Sequence, residues 1–207
     1  MRGKETTKGA SYMMIDCHHP VSIKDRLMFF YNFLQSPGQV GSITPSSRAL
    51  AKQMMKPIDW SQAHTIVELG AGTGIFTTWI EQMKRPEATL VSFEKENKMR
   101  EKLEQQFPNV LFHEDAVDLT RVLGEAGLGK ADCIVSGLPF ANFPQELRDQ
   151  IMDEVYAALK PGGVFVTFQY SLQMKKQLSS VFENMTVKLV PLNLPPAFVY
   201  VCRKGHE

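Results

Sequence analysis

The chain has 207 residues, 43% of them apolar and 22% charged, which is the composition of an ordinary globular domain with one buried core. A net charge of +1 lacks the strong basic excess that is usual for nucleic-acid-binding domains, so we expect no nucleic acid partner. Residues 1–60 carry eight Lys and Arg against four Asp and Glu, and this excess of positive charge favours binding of the segment to an anionic surface.

The cysteines and the hydropathy pattern predict the compartment. Cys17, Cys133 and Cys202 are odd in number and widely spaced, which indicates neither a disulfide framework nor a zinc pattern. We interpret Cys17-His18-His19 as an incidental surface run and expect no metal. Because no signal peptide and no apolar stretch of membrane-spanning length is visible, we expect a cytoplasmic protein.

The amino-terminal region predicts helices that precede the main domain. We expect a disordered tail over residues 1–20 and a helical extension over residues 21–60. A capping box at Ser22 begins a wide apolar stripe formed by Leu27, Met28, Phe29, Phe30, Tyr31, Phe33 and Leu34. This stripe fits either a helix packed over the core or a helix lying in a bilayer interface. A second helix is predicted from Thr44-Pro45 to Pro57.

Residues 61–207 alternate between strands and helices, which predicts an α/β domain with a parallel sheet covered on both faces. Helical spacing is present from Ile75 to Met83 and from Leu147 to Leu159, and Lys160-Pro161-Gly162-Gly163 is predicted to stop the second of these helices. The predicted strands are Thr65–Leu69, Leu90–Phe93, Val110–His113, Cys133–Ser136, Val164–Tyr170, Thr186–Val190 and Phe198–Cys202.

A glycine-rich turn follows the first of these strands in the sequence Glu68-Leu69-Gly70-Ala71-Gly72-Thr73-Gly74. An acid, Glu94, ends the next strand and can accept hydrogen bonds from two ribose hydroxyls. The G-x-G-x-G spacing differs from the G-x-G-x-x-G of dinucleotide-binding loops, and Glu68 would repel a pyrophosphate. An acid beside the loop instead suits a ligand that carries an ammonium and a sulfonium. A glycine loop alone is also compatible with a purely structural turn.

On these residues the chain resembles the class I S-adenosylmethionine-dependent methyltransferases, which have a Rossmann-like sheet closed by an antiparallel hairpin. The resemblance implies S-adenosylmethionine as cofactor, with S-adenosylhomocysteine as product. It also implies that Asp115 accepts from the adenine amine; the alternative interpretation of Asp115 is the cap of a following helix. The implied cofactor-binding residues are Glu68, Gly70, Ala71, Gly72, Thr73, Gly74, Glu94, Lys95, Asp115, Ala116 and Ser136.

The loop after the fourth strand, Ser136-Gly137-Leu138-Pro139-Phe140, is expected to carry the reaction because ligands bind at the carboxyl edge of such sheets. It resembles the N-L-P-Y loop of ribosomal-RNA adenine dimethyltransferases, with Gly137 in place of the asparagine. Glycine has no side-chain acceptor for an adenine amine, and we expect it to leave the amine pocket open. Only about forty residues follow the fifth strand, too few for the RNA-binding domain of those enzymes.

The chain as a whole resembles the bacterial phospholipid N-methyltransferases. The residues that carry this resemblance are Val40–Leu50, Ser136–Phe140, Asn142-Phe143-Pro144, Phe168-Gln169-Tyr170 and Asn193-Leu194-Pro195-Pro196-Ala197. It implies methylation of phosphatidylethanolamine towards phosphatidylcholine by a protein attached peripherally to the inner face of the membrane.

The residues implied in that reaction fall into two groups. Those of the reaction loop are Gly137, Leu138, Pro139 and Phe140, and those that bind the substrate are Tyr31, Arg48, Phe140 and Tyr170. Phe140 and Tyr31 fit core packing as well as a pocket wall, and Arg48 fits a solvated helix position. Methylation of ribosomal RNA or of a small soluble amine, and a non-catalytic binding role, remain alternatives.

Overall fold

The computed structural model describes residues 45–193 and 195–206. The predictions for residues 1–20 and for the helix that contains Tyr31 lie outside these residues. The helices are α1 (Pro45–Met55), α2 (Ile75–Met83), α3 (Asn97–Gln106), α4 (Leu119–Glu125), α5 (Gln145–Ala158) and α6 (Lys175–Val181). The strands are β1 (Thr65–Leu69), β2 (Thr89–Phe93), β3 (Leu111–His113), β4 (Ala131–Ser136), β5 (Leu159–Gln169), β6 (Asn184–Val190) and β7 (Ala197–Arg203).

All seven strands form one sheet in the order β3-β2-β1-β4-β5-β7-β6. The first five strands are parallel, whereas β7 runs antiparallel to both β5 and β6. The predicted class I methyltransferase sheet with a closing antiparallel hairpin is therefore confirmed. The chain reverses its direction of winding between β1 and β4, so the loops after these two strands meet at the carboxyl edge of the sheet.

Helices cover both faces of the sheet, as predicted. Leu50, Met54 and Ile80 of α1 and α2 pack on one face, together with Val166 and Val199 of the sheet. The other face is covered by α4, α5 and α6, through residues that include Leu123, Ile151, Val155 and Leu178. Because the central strands are buried on both faces, they are continuous apolar runs rather than alternating ones.

The boundary between α5 and β5 differs from the prediction. The helix ends at Ala158, and Leu159 is extended and pairs with Ala131 of β4. The predicted turn, residues 160–163, forms an irregularity inside β5, after which Val164 pairs with Cys133. Leu159 is buried in the core as a strand residue, so its helical spacing from Val155 was misleading.

Helix α3 has no counterpart among the predicted elements because only Met99 and Leu103 of its ten residues are buried. Its amino terminus is capped by the Glu96 side chain, which accepts from the amides of Lys98 and Met99. In the part of the chain that the structure describes, no helix is long and apolar enough to cross a bilayer.

Candidate active site

The glycine loop between β1 and α2 is bent by three residues in the left-handed region. Gly70, Gly72 and Gly74 have φ angles of 77°, 57° and 79°. The amides of Gly70 and Ala71 both donate to the carbonyl of Phe93, which joins the loop to the end of β2. A Cβ at Gly74 would lie 2.6 Å from Leu103, so this glycine permits close packing of α3. A Cβ at Gly72 would meet nothing within 4 Å, which leaves the backbone there open to a ligand.

Glu94 lies at the end of β2 and is bonded to the glycine loop. Its Oε2 accepts a hydrogen bond from the amide of Gly72 at 2.8 Å, and its Oε1 accepts from the amide of Glu96 at 2.9 Å. A carboxylate has about four acceptor positions, so Glu94 can hold the loop and still accept from ribose hydroxyls.

Glu68 is completely buried near the end of β1. Its Oε2 accepts from the hydroxyls of Thr77 and Ser92, both at 2.7 Å, whereas Oε1 has no hydrogen-bond partner among the described residues. Burial raises the pKa of Glu68 to about 7; the bonds from Thr77 and Ser92 oppose this shift, and nearby Glu94 adds to it. Neither hydroxyl partner was identified from the sequence, because each lies on a different element.

Asp115 and Lys95, predicted to contact the cofactor, lie side by side after β3 and β2. The Lys95 ammonium is 2.8 Å from Asp115 Oδ2, and Asp115 Oδ1 accepts from the amide of Val117 at 3.3 Å. Asp115 thus caps the short 3-10 helix at residues 116–118, as the capping interpretation predicts. Its contact with adenine remains a prediction.

The loop after β4 is in direct contact with the glycine loop. The amide of Gly137 donates to the carbonyl of Leu69, and a Cβ at Gly137 would lie 2.9 Å from the carbonyl oxygen of Gly70. A Cβ at Gly70 would in turn lie 2.9 Å from the Leu138 side chain. The expectation that Gly137 leaves an open pocket is therefore corrected. The space that a side chain would need is filled by the backbone of the cofactor loop.

Gln169, at the end of β5, holds the same loop from its other side. Its Nε2 donates to the carbonyl of Leu138 at 2.9 Å, and its Oε1 accepts from the amide of Ala141 at 3.3 Å. The side chain is only 4% exposed. Gln169 was named only within a segment that carries the phospholipid resemblance, although a polar residue directly after an apolar strand run was a usable signal for a role in the site.

The predicted substrate-binding residues are found in different environments. Phe140 is fully buried and packs edge-on against Phe143 and Phe165, as the core interpretation predicts. Burial raises the pKa of Tyr170, and a side-chain hydrogen bond with Asn193 partly offsets that rise. Arg48 is exposed on α1. Tyr31 lies outside the described residues.

Tyr170 and Asn193 connect two of the sequence segments on which the phospholipid resemblance rests. Asn193 is buried and donates from Nδ2 to the carbonyl of Pro195 at 2.7 Å. Tyr170 and Asn193 therefore bring these two segments into contact beside the loop after β4, which Gln169 holds.

The site residues fit S-adenosylmethionine. Gly72 leaves room for a ligand against the backbone, and Glu68 Oε1 is a buried acceptor that still lacks a partner. Glu94 supplies negative charge for a cationic ligand, and a positive charge beside Glu68 would favour the ionised form of that buried carboxyl. When bound, S-adenosylmethionine supplies an electrophilic methyl group. The contact between Gly70 and Gly137 joins the loop that would hold it to the loop expected to hold the acceptor.

Comparison with known proteins places this chain in the same class of enzyme. Residues 66–163 match the family described as a methyltransferase domain. The structure is similar to the N-methyltransferase NodS of Bradyrhizobium japonicum solved with S-adenosylhomocysteine, at TM-score 0.61, 13% identity and coverage of 78% of this chain and 88% of that one. It is similar also to the O-methyltransferase TomG of Streptomyces achromogenes solved with S-adenosylmethionine, at TM-score 0.63, 15% identity and coverage of 90% and 92%. The chain belongs to the class I S-adenosylmethionine-dependent methyltransferases.

The similarity to one curated relative covers nearly the whole chain. The ornithine lipid N-methyltransferase of Singulisphaera acidiphila is 33% identical over 193 residues, which cover 89% of this chain and 99% of that protein. The predictions of an S-adenosylmethionine-dependent N-methyltransferase and of its cofactor are confirmed. The relation to ribosomal-RNA adenine dimethyltransferases stays a prediction.

Proposed function

We propose that this enzyme methylates the headgroup amine of a membrane lipid. The observation that carries the proposal is the 33% identity with an ornithine lipid N-methyltransferase over almost the full length of both chains. The sequence resemblance to phospholipid N-methyltransferases points to phosphatidylethanolamine, and the relative points to an ornithine lipid. Both headgroups present a primary amine to the methyl donor.

The reaction requires a neutral amine, because an ammonium has no lone pair with which to attack the methyl group. The protein's contribution is approach geometry. Gln169 holds the loop after β4 by two hydrogen bonds, and Gly137 sets that loop directly against Gly70. The acceptor and donor halves of the site are thereby kept at a constant separation.

Membrane attachment is part of the same proposal, because a lipid amine is available only at a bilayer surface. We propose peripheral association with the inner, anionic leaflet. Arg48 is exposed and available to pair with an anionic group of the headgroup. Tyr170, the residue after β5, is proposed to contact the same headgroup.

The direct experiment incubates purified enzyme with labelled S-adenosylmethionine and vesicles that contain phosphatidylethanolamine, an ornithine lipid, or neither. Lipid extraction and mass spectrometry should show mass increments of methyl groups in one or both amine lipids. Ribosomal RNA and ethanolamine in parallel reactions should remain unlabelled. Label in dimethyladenine or in the soluble amine, with none in lipid, would overturn the proposal.

A further inference from the structure

Three exposed leucines lie at the edge of the sheet that carries the site. Among the described residues, five large apolar side chains are exposed. Leu172, Leu189 and Leu192, here called the leucine rim, are 48%, 55% and 78% exposed. They follow or end β5 and β6 at the carboxyl edge of the sheet. Met83 and Leu111 lie at the opposite edge, at the end of α2 and the start of β3.

Hydrogen bonds hold the rim in place. Leu192 lies in a tight turn closed by the amide of Asn193, which donates to the carbonyl of Val190. The Tyr200 hydroxyl donates to the carbonyl of Ser171 at 3.1 Å, and the amide of Lys175 donates to the carbonyl of Leu172. Both turns are therefore tied to the sheet or to α6 while their leucines face solvent. Apolar groups held in water by ordered backbone indicate a contact surface rather than a loose loop.

Positive charge borders the rim. Lys175 and Lys176 are exposed at the start of α6, and no acidic residue occurs from 170 to 182. Neither lysine forms an ion pair with a residue that the structure describes. The carboxyl end of α1 leads to Pro57, whose carbonyl accepts a hydrogen bond from Arg203 at the amino edge of the sheet. Arg48, near the other end of α1, therefore lies towards the carboxyl edge. Leucines interspersed with cations are suited to an anionic lipid interface, where apolar burial and charge attraction act together.

We infer that the leucine rim, with Lys175 and Lys176, is the surface by which the enzyme docks on an anionic bilayer. Docking there turns the carboxyl edge of the sheet, and with it the glycine loop and the loop after β4, towards the headgroups. The inference deepens the proposed function and rests on it for the identity of the partner. It uses none of the residues of the apolar stripe predicted near the amino terminus.

The test compares matched substitutions at the two edges of the sheet. Leu172→Glu/Leu192→Glu adds two negative charges at the rim, and Met83→Glu/Leu111→Glu adds the same charges at the other edge. Lys175→Gln/Lys176→Gln is matched by Lys56→Gln/Lys130→Gln, because Lys56 and Lys130 are exposed at the amino edge. Binding is measured by sedimentation with phosphatidylcholine vesicles, with and without phosphatidylglycerol.

The rim variant should bind anionic vesicles at least about tenfold more weakly, whereas its control should stay within about twofold of the wild type. Each lysine removed should cost about fivefold at low salt and little at high salt. Equal binding by rim and control variants would overturn the inference. So would a lower melting temperature with unchanged vesicle binding, since that result would show the rim packed against the rest of the chain.

Measurements of methyl transfer distinguish an error in this inference from an error in the proposed function. A rim variant should lose methyl transfer to vesicle-embedded lipid and keep it on a short-chain lipid dispersed as monomers. Loss on both substrates with normal vesicle binding would overturn the docking role. If the wild type binds vesicles through the rim but methylates no lipid, the docking surface stands and the proposed lipid substrate is wrong.

Discussion

The amide of Gly72 donates a hydrogen bond of 2.8 Å to the carboxylate of Glu94. This bond joins the two sequence features that most clearly predict a nucleotide ligand, the glycine loop and the acid at the end of the next strand. Glu94 therefore holds the loop in place before it meets any ligand. The loop and its acid form a single preorganised unit.

Glu94→Ala should greatly weaken S-adenosylmethionine binding while the fold survives. The change removes the anchor of Gly72 and the expected acceptor for the ribose hydroxyls. A hydrogen bond to a charged group contributes about 1.5–3 kcal/mol, so calorimetry should show a loss of at least roughly tenfold. Glu94→Gln keeps an acceptor oxygen and should lose less. Unchanged cofactor affinity in the alanine variant would refute the assignment.

Gly72→Ala separates ligand contact from backbone strain. At φ 57° an added Cβ points into open space, which we assign to the cofactor. Gly127 has φ 68° and equally open surroundings but lies at the other edge of the sheet, after α4. Both alanine variants should lose about 1–2 kcal/mol of unfolding free energy. Only Gly72→Ala, and more strongly Gly72→Val, should lose cofactor affinity; equal affinity in all these proteins would contradict the site.

Gly137→Asn restores the residue of the RNA enzymes but should not create an RNA methyltransferase. Its Cβ would come within 2.9 Å of the Gly70 carbonyl and displace the cofactor loop. We expect at least about a tenfold loss of S-adenosylmethionine affinity, and a similar loss for Gly137→Ala. Gly124→Ala, in an open position on α4, is the control and should be neutral or stabilising. Labelled dimethyladenine produced by the asparagine variant would contradict the steric argument.

Gln169→Leu should slow methyl transfer more than it weakens cofactor binding. It removes both bonds to the loop after β4 and leaves the amide of Ala141 without its partner, at a cost of about 1–3 kcal/mol. Gln169→Glu keeps the acceptor for Ala141 but loses the donor to Leu138, and should give an intermediate rate. Rates at saturating substrate are compared with calorimetric affinities. Parallel losses of rate, affinity and melting temperature would indicate a structural role alone.

Glu68→Gln should alter the pH dependence of stability. The folded pKa of about 7 exceeds the ordinary value of 4.5, so protonated Glu68 stabilises the fold below pH 4.5 and this contribution is lost as the pH rises to about 7. The difference corresponds to roughly 3 kcal/mol. The difference in unfolding free energy between the glutamine variant and the wild type should therefore shift in favour of the variant when the pH is raised from 5 to 8. Denaturant titrations at both pH values check this, and parallel profiles would contradict the raised pKa.

Much of the fold followed from local patterns. Apolar strand runs, helical spacing and the glycine turn are properties of short segments, and they predicted six of the seven described strands to within two residues and the seventh, β5, without its first five residues. Leu159 shows the limit of such patterns. Its spacing suits α5, but pairing with Ala131 draws it into β5. Helix α3 was not predicted because its few apolar residues form no clear helical stripe and its amino terminus depends on the Glu96 cap.

The sequence by itself determined the class of enzyme and its cofactor, because a nucleotide loop and its acid are encoded within one strand-helix-strand unit. Only the tertiary structure decided how the reaction loop is held. Gly137 needs to be glycine because Gly70, 67 residues earlier in the chain, comes against it across the sheet. Gln169 acts on Leu138 because β5 lies beside β4. Contacts between residues this far apart depend on strand order and register, which no local pattern of residues records.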